Sequence, residues 1–219
     1  MSDSENDQIK AEVAVATEQS ENLHARVRDI TVRAMSRRAL SSGEIMAVVR
    51  AVTEGITLGL GHRTGEIKEA VREALGGLDE ALQKVAESTK LAAQQLIAQG
   101  KEFGVQDLKP AMDELKQLEE MFLNTVSKVS EAAGGRIKEE FTAQLKHVRR
   151  SGTDSGRVIA ATLAEFNQRT GSTLKSGVRQ TTGAALEMKQ RLTLLASGIL
   201  AGMADALQEK AKPEERKAR

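Results

Sequence analysis

Five arginines, Arg26, Arg28, Arg33, Arg37 and Arg38, crowd the segment HARVRDITVRAMSRRAL, and residues 21–40 carry those five against Glu21 and Asp29, a net of +3. On a helix such a cluster can lie on an anionic surface or track a phosphate backbone. It can equally belong to a bundle helix whose arginines pair with acidic neighbours. The chain has no Tyr or Trp for base stacking, which weakens the nucleic-acid reading. The other residues able to do chemistry are sparse. Glu21 and His24 form one E-x-x-H pair, whereas a di-metal helical bundle needs two such pairs and further inward carboxylates. His62 and His147, the remaining histidines, fall in two other helical segments. The doublets Glu119/Glu120 and Glu139/Glu140 lie opposite leucine stripes and read as solvated faces, not as an acid/base pair. With zero cysteines, disulfides, thiolate chemistry and Cys-based zinc sites are excluded. No phosphate-binding loop follows a strand. We expect no catalytic, cofactor-binding or metal-binding residues, no cofactor, and a non-enzymatic protein.

The glycines are the second informative set. Thirteen of the 18, at 55, 59, 61, 65, 76, 77, 134, 135, 171, 177, 183, 198 and 202, fall inside helical runs. An interior helical Gly costs about 1 kcal/mol relative to Ala. Together they amount to roughly 13 kcal/mol, comparable with the whole stability of a typical domain at about 5–15 kcal/mol. Two compensations are available: close backbone approach between helices, or helices that fold fully only on a surface or partner. Gly55/Gly59, Gly61/Gly65 and Gly198/Gly202 have the small-xxx-small spacing that lets helices touch closely. Tight packing by Gly55 and Gly59 or by Gly198 and Gly202, within the chain or across a dimer, is the expectation. The run GLGHRTG, residues 59–65, also admits a plain helix break with Thr64 as the new cap.

The elements that must position these residues are helices. Apolar residues recur at helical spacing and strand-like alternation is absent. The expected helices span about 8–40, 44–103, 109–150 and 154–208, between a disordered acidic tail at 1–7 and a charged C-terminal tail at 209–219, and they form one bundle. Ser41 and Glu44 stand in capping-box relation at the second start. The second run carries an 11-residue repeat from Ser42, with Ile45, Ile56, Ile67 and Leu78 in one place and Val49, Leu60, Val71 and Leu82 in another. Eleven residues make three turns, so both series stay on one face of a nearly straight helix. GVQDLKP, residues 104–110, is the clearest boundary, with Pro110 suited to a first turn. SGTD, residues 151–154, is the next, with Ser151, Thr153 or Asp154 as cap. The third helix shows Leu115, Leu118, Phe122, Val126, Val129, Ala133, Ile137, Phe141, Leu145 and Val148. The fourth shows Ile159, Leu163, Phe166, Leu174, Val178, Leu186, Leu192, Leu195, Ile199, Met203 and Leu207. The fold class is all-α, an elongated bundle of about four long amphipathic helices.

Bulk properties narrow the setting. A net charge of +1 excludes the basicity of a dedicated nucleic-acid coat. Charged residues at 29% and apolar ones at 40% suit folded material. The longest uncharged stretch, Leu192 to Ala204, has thirteen residues, and a spanning helix needs roughly 20. We expect no transmembrane segment. The start MSDSENDQIKAE lacks the apolar core of a secretory signal, so the expected location is the cytoplasm.

The runs RAVTEGITLGLG and LTLLASGILAGMADAL, with the joint QGKEF…DLK between them, resemble an uncharacterised family of bacterial all-helical proteins. That resemblance covers most of the chain and implies no activity. KLAAQQLIAQGKEF, with long alanine-rich helices lacking Cys and Trp, is similar in composition to phasins, the amphipathic proteins that coat polyhydroxyalkanoate granules. The functional expectation is a structural or interaction protein: a scaffold, adaptor or phasin-like coat. Its partner would be another protein, a second copy, or a hydrophobic or anionic surface. The alternative is a nucleic-acid or nucleoid-associated protein binding through the Arg26–Arg38 face.

Overall fold

A computed structural model describes residues 3–38, 40–99, 108–173 and 182–215. These form eight helices: α1 Asp3–Gln19, α2 Leu23–Ser36, α3 Ser42–His62, α4 Ile67–Gln99, α5 Lys109–Glu131, α6 Gly135–Ser151, α7 Asp154–Thr173 and α8 Thr182–Glu215. The chain is all-α, and the described residues contain no strand. The expected count of about four long helices is corrected: each expected run holds two. The first divides at Asn22, whose side chain caps α2 by accepting from Ala25 N at 3.3 Å. The second divides after His62, where Arg63 turns to extended backbone with ψ 131°. The break in GLGHRTG is therefore real, although α4 opens at Ile67 and Thr64 is not its cap. The third divides at Gly134 and Gly135, where Gly135 has φ +53°. α7 and α8 divide the fourth, and Leu174 and Val178 of its stripe lie outside the described residues.

The joints at Asn22, Arg63 and Gly134 reverse the chain, so the helices pack on partners that periodicity does not name. Arg38, just beyond α2, reaches Asn6 near the start of α1, which makes α1 and α2 an antiparallel hairpin. Gly55 lies against Lys10, and Gly59 against Ala14. α1 and α3 therefore run parallel. Likewise Gly77 meets His24 and Glu80 meets Arg28, which sets α4 parallel to α2. Arg63 locks the α1–α3 pair, its guanidinium donating to the Thr17 carbonyl at 2.5 Å and the Ser20 carbonyl at 3.4 Å. Those are carbonyls of α1's last turn and of the residue just beyond it, which have no partner inside the helix.

One apolar cluster draws from all eight helices. The two eleven-residue series lie in it: Ile45, Val49, Ile56, Leu60, Val71, Leu78 and Leu82 are buried, and Ile67 packs on its edge. They are divided between α3 and α4. In α8 the fully buried row is Met188, Leu192, Ala196, Leu200 and Ala204. Leu195, Ile199 and Met203 only flank it, and Leu186 is exposed. The expected helical bounds at 8 and 208 are corrected. Helix α1 begins at Asp3, and α8 runs to Glu215; residues 216–219 lie outside the described residues. Burying a Leu, Ile or Val side chain contributes about 1.5–3 kcal/mol. The bundle therefore needs no surface to support its helices, and far-UV circular dichroism of the purified chain should show a predominantly helical spectrum without lipid. A coil-like spectrum that turns helical only with lipid would refute this.

Candidate functional site

The five arginines do not make a face. Arg28 bonds Asp29 at 2.8 Å and Glu80 at 3.4 Å. Burial pulls its guanidinium pKa down, and the two carboxylates more than offset that, leaving it above the ordinary value. Arg33 pairs with Glu12 of α1. Arg38, its side chain 4% exposed, lies 2.9 Å from Asn6 Oδ1, 3.6 Å from Glu44 and 3.7 Å from Glu5. Only Arg26 and Arg37 are exposed. Three of the five cations thus tie α1, α3 and α4 to α2, and a phosphate backbone would meet two.

The glycine pairs separate sharply. A Cβ on Gly55 would lie 2.5 Å from the Lys10 carbonyl oxygen and 2.8 Å from Val13 Cβ. One on Gly59 would lie 2.6 Å from Thr17 Cβ and closer still to the Ala14 carbonyl oxygen. This pair is the close contact of α1 and α3. Gly198 and Gly202 have nothing within 4 Å of such an atom, so that half of the packing expectation is corrected: they face open space. Gly61 is equally open, and Gly65 lies in the α3–α4 joint. Gly77, which the spacing rule passes over, is the matching contact of α2 and α4, with its Cβ position 3.1 Å from Arg28 N and nearer to the His24 carbonyl oxygen. Replacing Gly198 and Gly202 by Ala should raise stability by up to about 1 kcal/mol each, through helix propensity alone. Urea midpoints of the two variants check this.

Two carboxylates converge on the start of α7. Thr153 is its cap, its hydroxyl accepting from Gly156 N at 2.7 Å. Asp79 of α4 accepts from Asp154 N at 2.7 Å, from Ser155 N at 3.3 Å, and from the Ser155 hydroxyl at 2.5 Å. Glu119 of α5 accepts from the Thr153 hydroxyl at 2.6 Å and from Thr153 N at 3.3 Å. Glu119 is therefore not the solvated group its doublet suggested. A side chain at Gly156 would collide with its carboxylate. Burial pushes the Asp79 carboxyl up, the Ser155 bonds counter in part, and Glu119 adds to the rise. A raised carboxyl favours the folded state most while protonated, and that advantage fades as pH climbs from the ordinary value of 3.8 through the raised one. Wild type should therefore lose stability relative to Asp79→Asn as pH rises through the acidic range above 3.8. Urea midpoints across that range decide it, and a constant difference would refute it.

Two of the histidines, His24 and His147, share a cleft of about 780 Å³ with Asp79, Thr153 and Asp154 of this cluster. His24 Nδ1 is 3.6 Å from Glu80, while His62 and His147 are exposed. Among the described residues, no group of three His, Cys, Asp or Glu side chains could hold a metal ion.

The feature that periodicity did not reveal is a groove of about 920 Å³ along α1, α3 and α5. Its apolar surface comes from Met46, Leu58, Met121 and Val129. Leu58 is 46% exposed. Thr125 donates to the Met46 sulfur at 3.6 Å. Lys10 of α1 and Glu54 of α3 neutralise each other at 3.1 Å, whereas Arg50 and Lys128 line the groove as exposed cations. A second hollow of about 460 Å³ continues it towards Asn6, Asp7 and Gly43. Met46, Arg50, Glu54 and Leu58 recur every fourth residue of α3 beside the buried stripe, and that row was the available signal.

No helix among the described residues is long and apolar enough to cross a membrane. No curated protein and no solved structure matches the chain. A family model matches residues 1–209, and its description is a family of unknown function, DUF6781.

Proposed function

We propose that this chain, which belongs to the family of unknown function DUF6781, is a non-enzymatic interaction protein, a scaffold or adaptor acting in the cytoplasm. The observation that carries the reading is the open apolar groove of α1, α3 and α5 on a bundle whose other amphipathic stripes bury one another. A phasin-like coat would spread its apolar faces on a surface, and here that would mean opening the core. Within α3 the eleven-residue spacing keeps Ile45, Val49, Ile56 and Leu60 on the buried face, which leaves the outer face of α3 available.

Gel filtration tests this. The purified chain should elute as itself or a homo-oligomer, and in native extract it should elute in a larger assembly. Anionic liposomes and polyester granules should neither retain it nor raise its helicity. Identical elution in both settings would remove the partner, and retention with a gain in helicity would replace the adaptor by the surface coat. Gel shifts with duplex DNA at physiological salt should show no binding. A steep salt-dependent shift lost on replacing Arg37 and Arg38 by Gln would support the nucleic-acid alternative instead.

A further inference from the structure

We propose that the groove of α1, α3 and α5 takes an acidic amphipathic helix about four turns long, supplied by a partner protein; this rests on the reading of the chain as an interaction protein. Length and openness argue for a helix. On α3 the lining runs from Gly43 to Leu58, and on α5 and its C-terminal cap from Met121 to Ala133. At 1.5 Å per residue the α3 row spans about 22 Å, the length of about four helical turns. Small-molecule sites bury most of their ligand, and a trough between two outward helix rows encloses no such ligand. It does match the helix-in-groove mode, in which apolar anchors recur at i, i+3, i+4 and i+7.

Chemistry sets the anchors and the charge. Met46 and Met121 supply unbranched thioethers that adapt to varied apolar side chains. Ala47, Ala51 and Ala132 keep the rows low enough for close approach. Lys10 is neutralised by Glu54. Arg50 and Lys128 remain, from opposite walls, with Asp7 only at the far end. A helix carrying Glu or Asp on both flanks of its apolar stripe would meet both cations, and a basic helix would be repelled.

Display selection on the full-length chain tests this, using a library of helical peptides about four turns long with a constant apolar stripe and flanks varied among Glu, Lys and Gln. Acidic flanks should be enriched. Fluorescence anisotropy should show the winners losing about tenfold or more in affinity on Leu58→Glu, an apolar anchor of the groove. The double variant Arg50→Glu/Lys128→Glu should reverse the selection towards basic flanks, with circular dichroism unchanged. Basic or uncharged winners on the wild type would overturn the proposal, as would binding indifferent to Leu58→Glu. So would a self-association, seen by sedimentation and lost in Leu58→Glu, because a second copy would then fill the groove. If the selection fails while native extract still shows the larger assembly, the groove assignment is lost and the interaction reading stands. If both fail, both are lost.

Discussion

Gly59→Ala should destabilise the protein by about 1–3 kcal/mol, although the same change at an exposed helical site stabilises by up to about 1 kcal/mol. The sign follows from what surrounds the position. The new methyl would sit 2.6 Å from Thr17 Cβ and nearer to the Ala14 carbonyl oxygen. A side chain can rotate away, but the backbone carbonyl of a neighbouring helix cannot. Relief requires α1 and α3 to separate, which strips contacts from Val13, Ile56 and Leu60, all buried in the core. Gly55→Ala meets the Lys10 carbonyl oxygen at 2.5 Å and should behave alike, and Gly77→Ala should do the same between α2 and α4. For a chain of this size 1 kcal/mol corresponds to about 2–4 °C in Tm, so thermal melts resolve the effect. Gly202→Ala is the internal control, with open space around it and a change of opposite sign. If Gly59→Ala raised the Tm as Gly202→Ala does, the close contact of α1 and α3 would be refuted.

Asp79→Ala should cost about 1–2 kcal/mol through the lost helix cap, because the Ser155 hydroxyl keeps a second acceptor in Thr153 Oγ1 at 3.2 Å. Asp79 accepts from two backbone N–H groups of α7 and from the Ser155 hydroxyl, and Ser155 is 1% exposed. Water can replace the carboxylate at Asp154 N, which is exposed, but not at Ser155. Urea unfolding measures the loss, and hydrogen exchange locates it, with faster exchange confined first to the opening turn of α7. Thr153→Ala should cost about 1–2 kcal/mol by removing the local cap. The double variant should fall short of the sum, because both residues serve the same helix start. Full additivity would show that Asp79 and Thr153 do not form one unit.

Much of the local structure was legible in the residues. Ser41 caps α3, its hydroxyl accepting from Glu44 N at 3.4 Å, as the capping-box spacing implies. Pro110 stands in the first turn of α5. Thr153, one of three candidates in SGTD, caps α7. The apolar stripes of α3, α4 and α5 line the core as their spacing requires. Where the stripe is broad the reading slips: in α8 it ran through Leu195, Ile199 and Met203, and the fully buried row is Leu192, Ala196 and Leu200. Counting large side chains overlooks alanines, which bury wherever backbones lie close.

Helix identity, caps and stripes depend on residues within a turn or two, so the sequence by itself determined that this protein is all-α and where many of its helices begin. Tertiary structure decided everything that depends on residues far apart. An unbroken 3.6-residue rhythm crosses Asn22, Arg63 and Gly134 because a reversal of direction need not disturb the count of apolar positions. Gly55 and Gly198 stand in the same four-residue spacing, yet one meets Lys10 and Val13 and the other meets nothing. Arg38 and Arg37 are adjacent in a basic run, yet only the one that finds Asn6, Glu5 and Glu44 is buried. Their contrast has a single cause: a buried cation or a side-chain-free contact exists only where another helix supplies carboxylates or a backbone. Chain separations of 44 residues for Lys10 and Glu54, or 76 for Asp79 and Ser155, put that supply outside any local pattern.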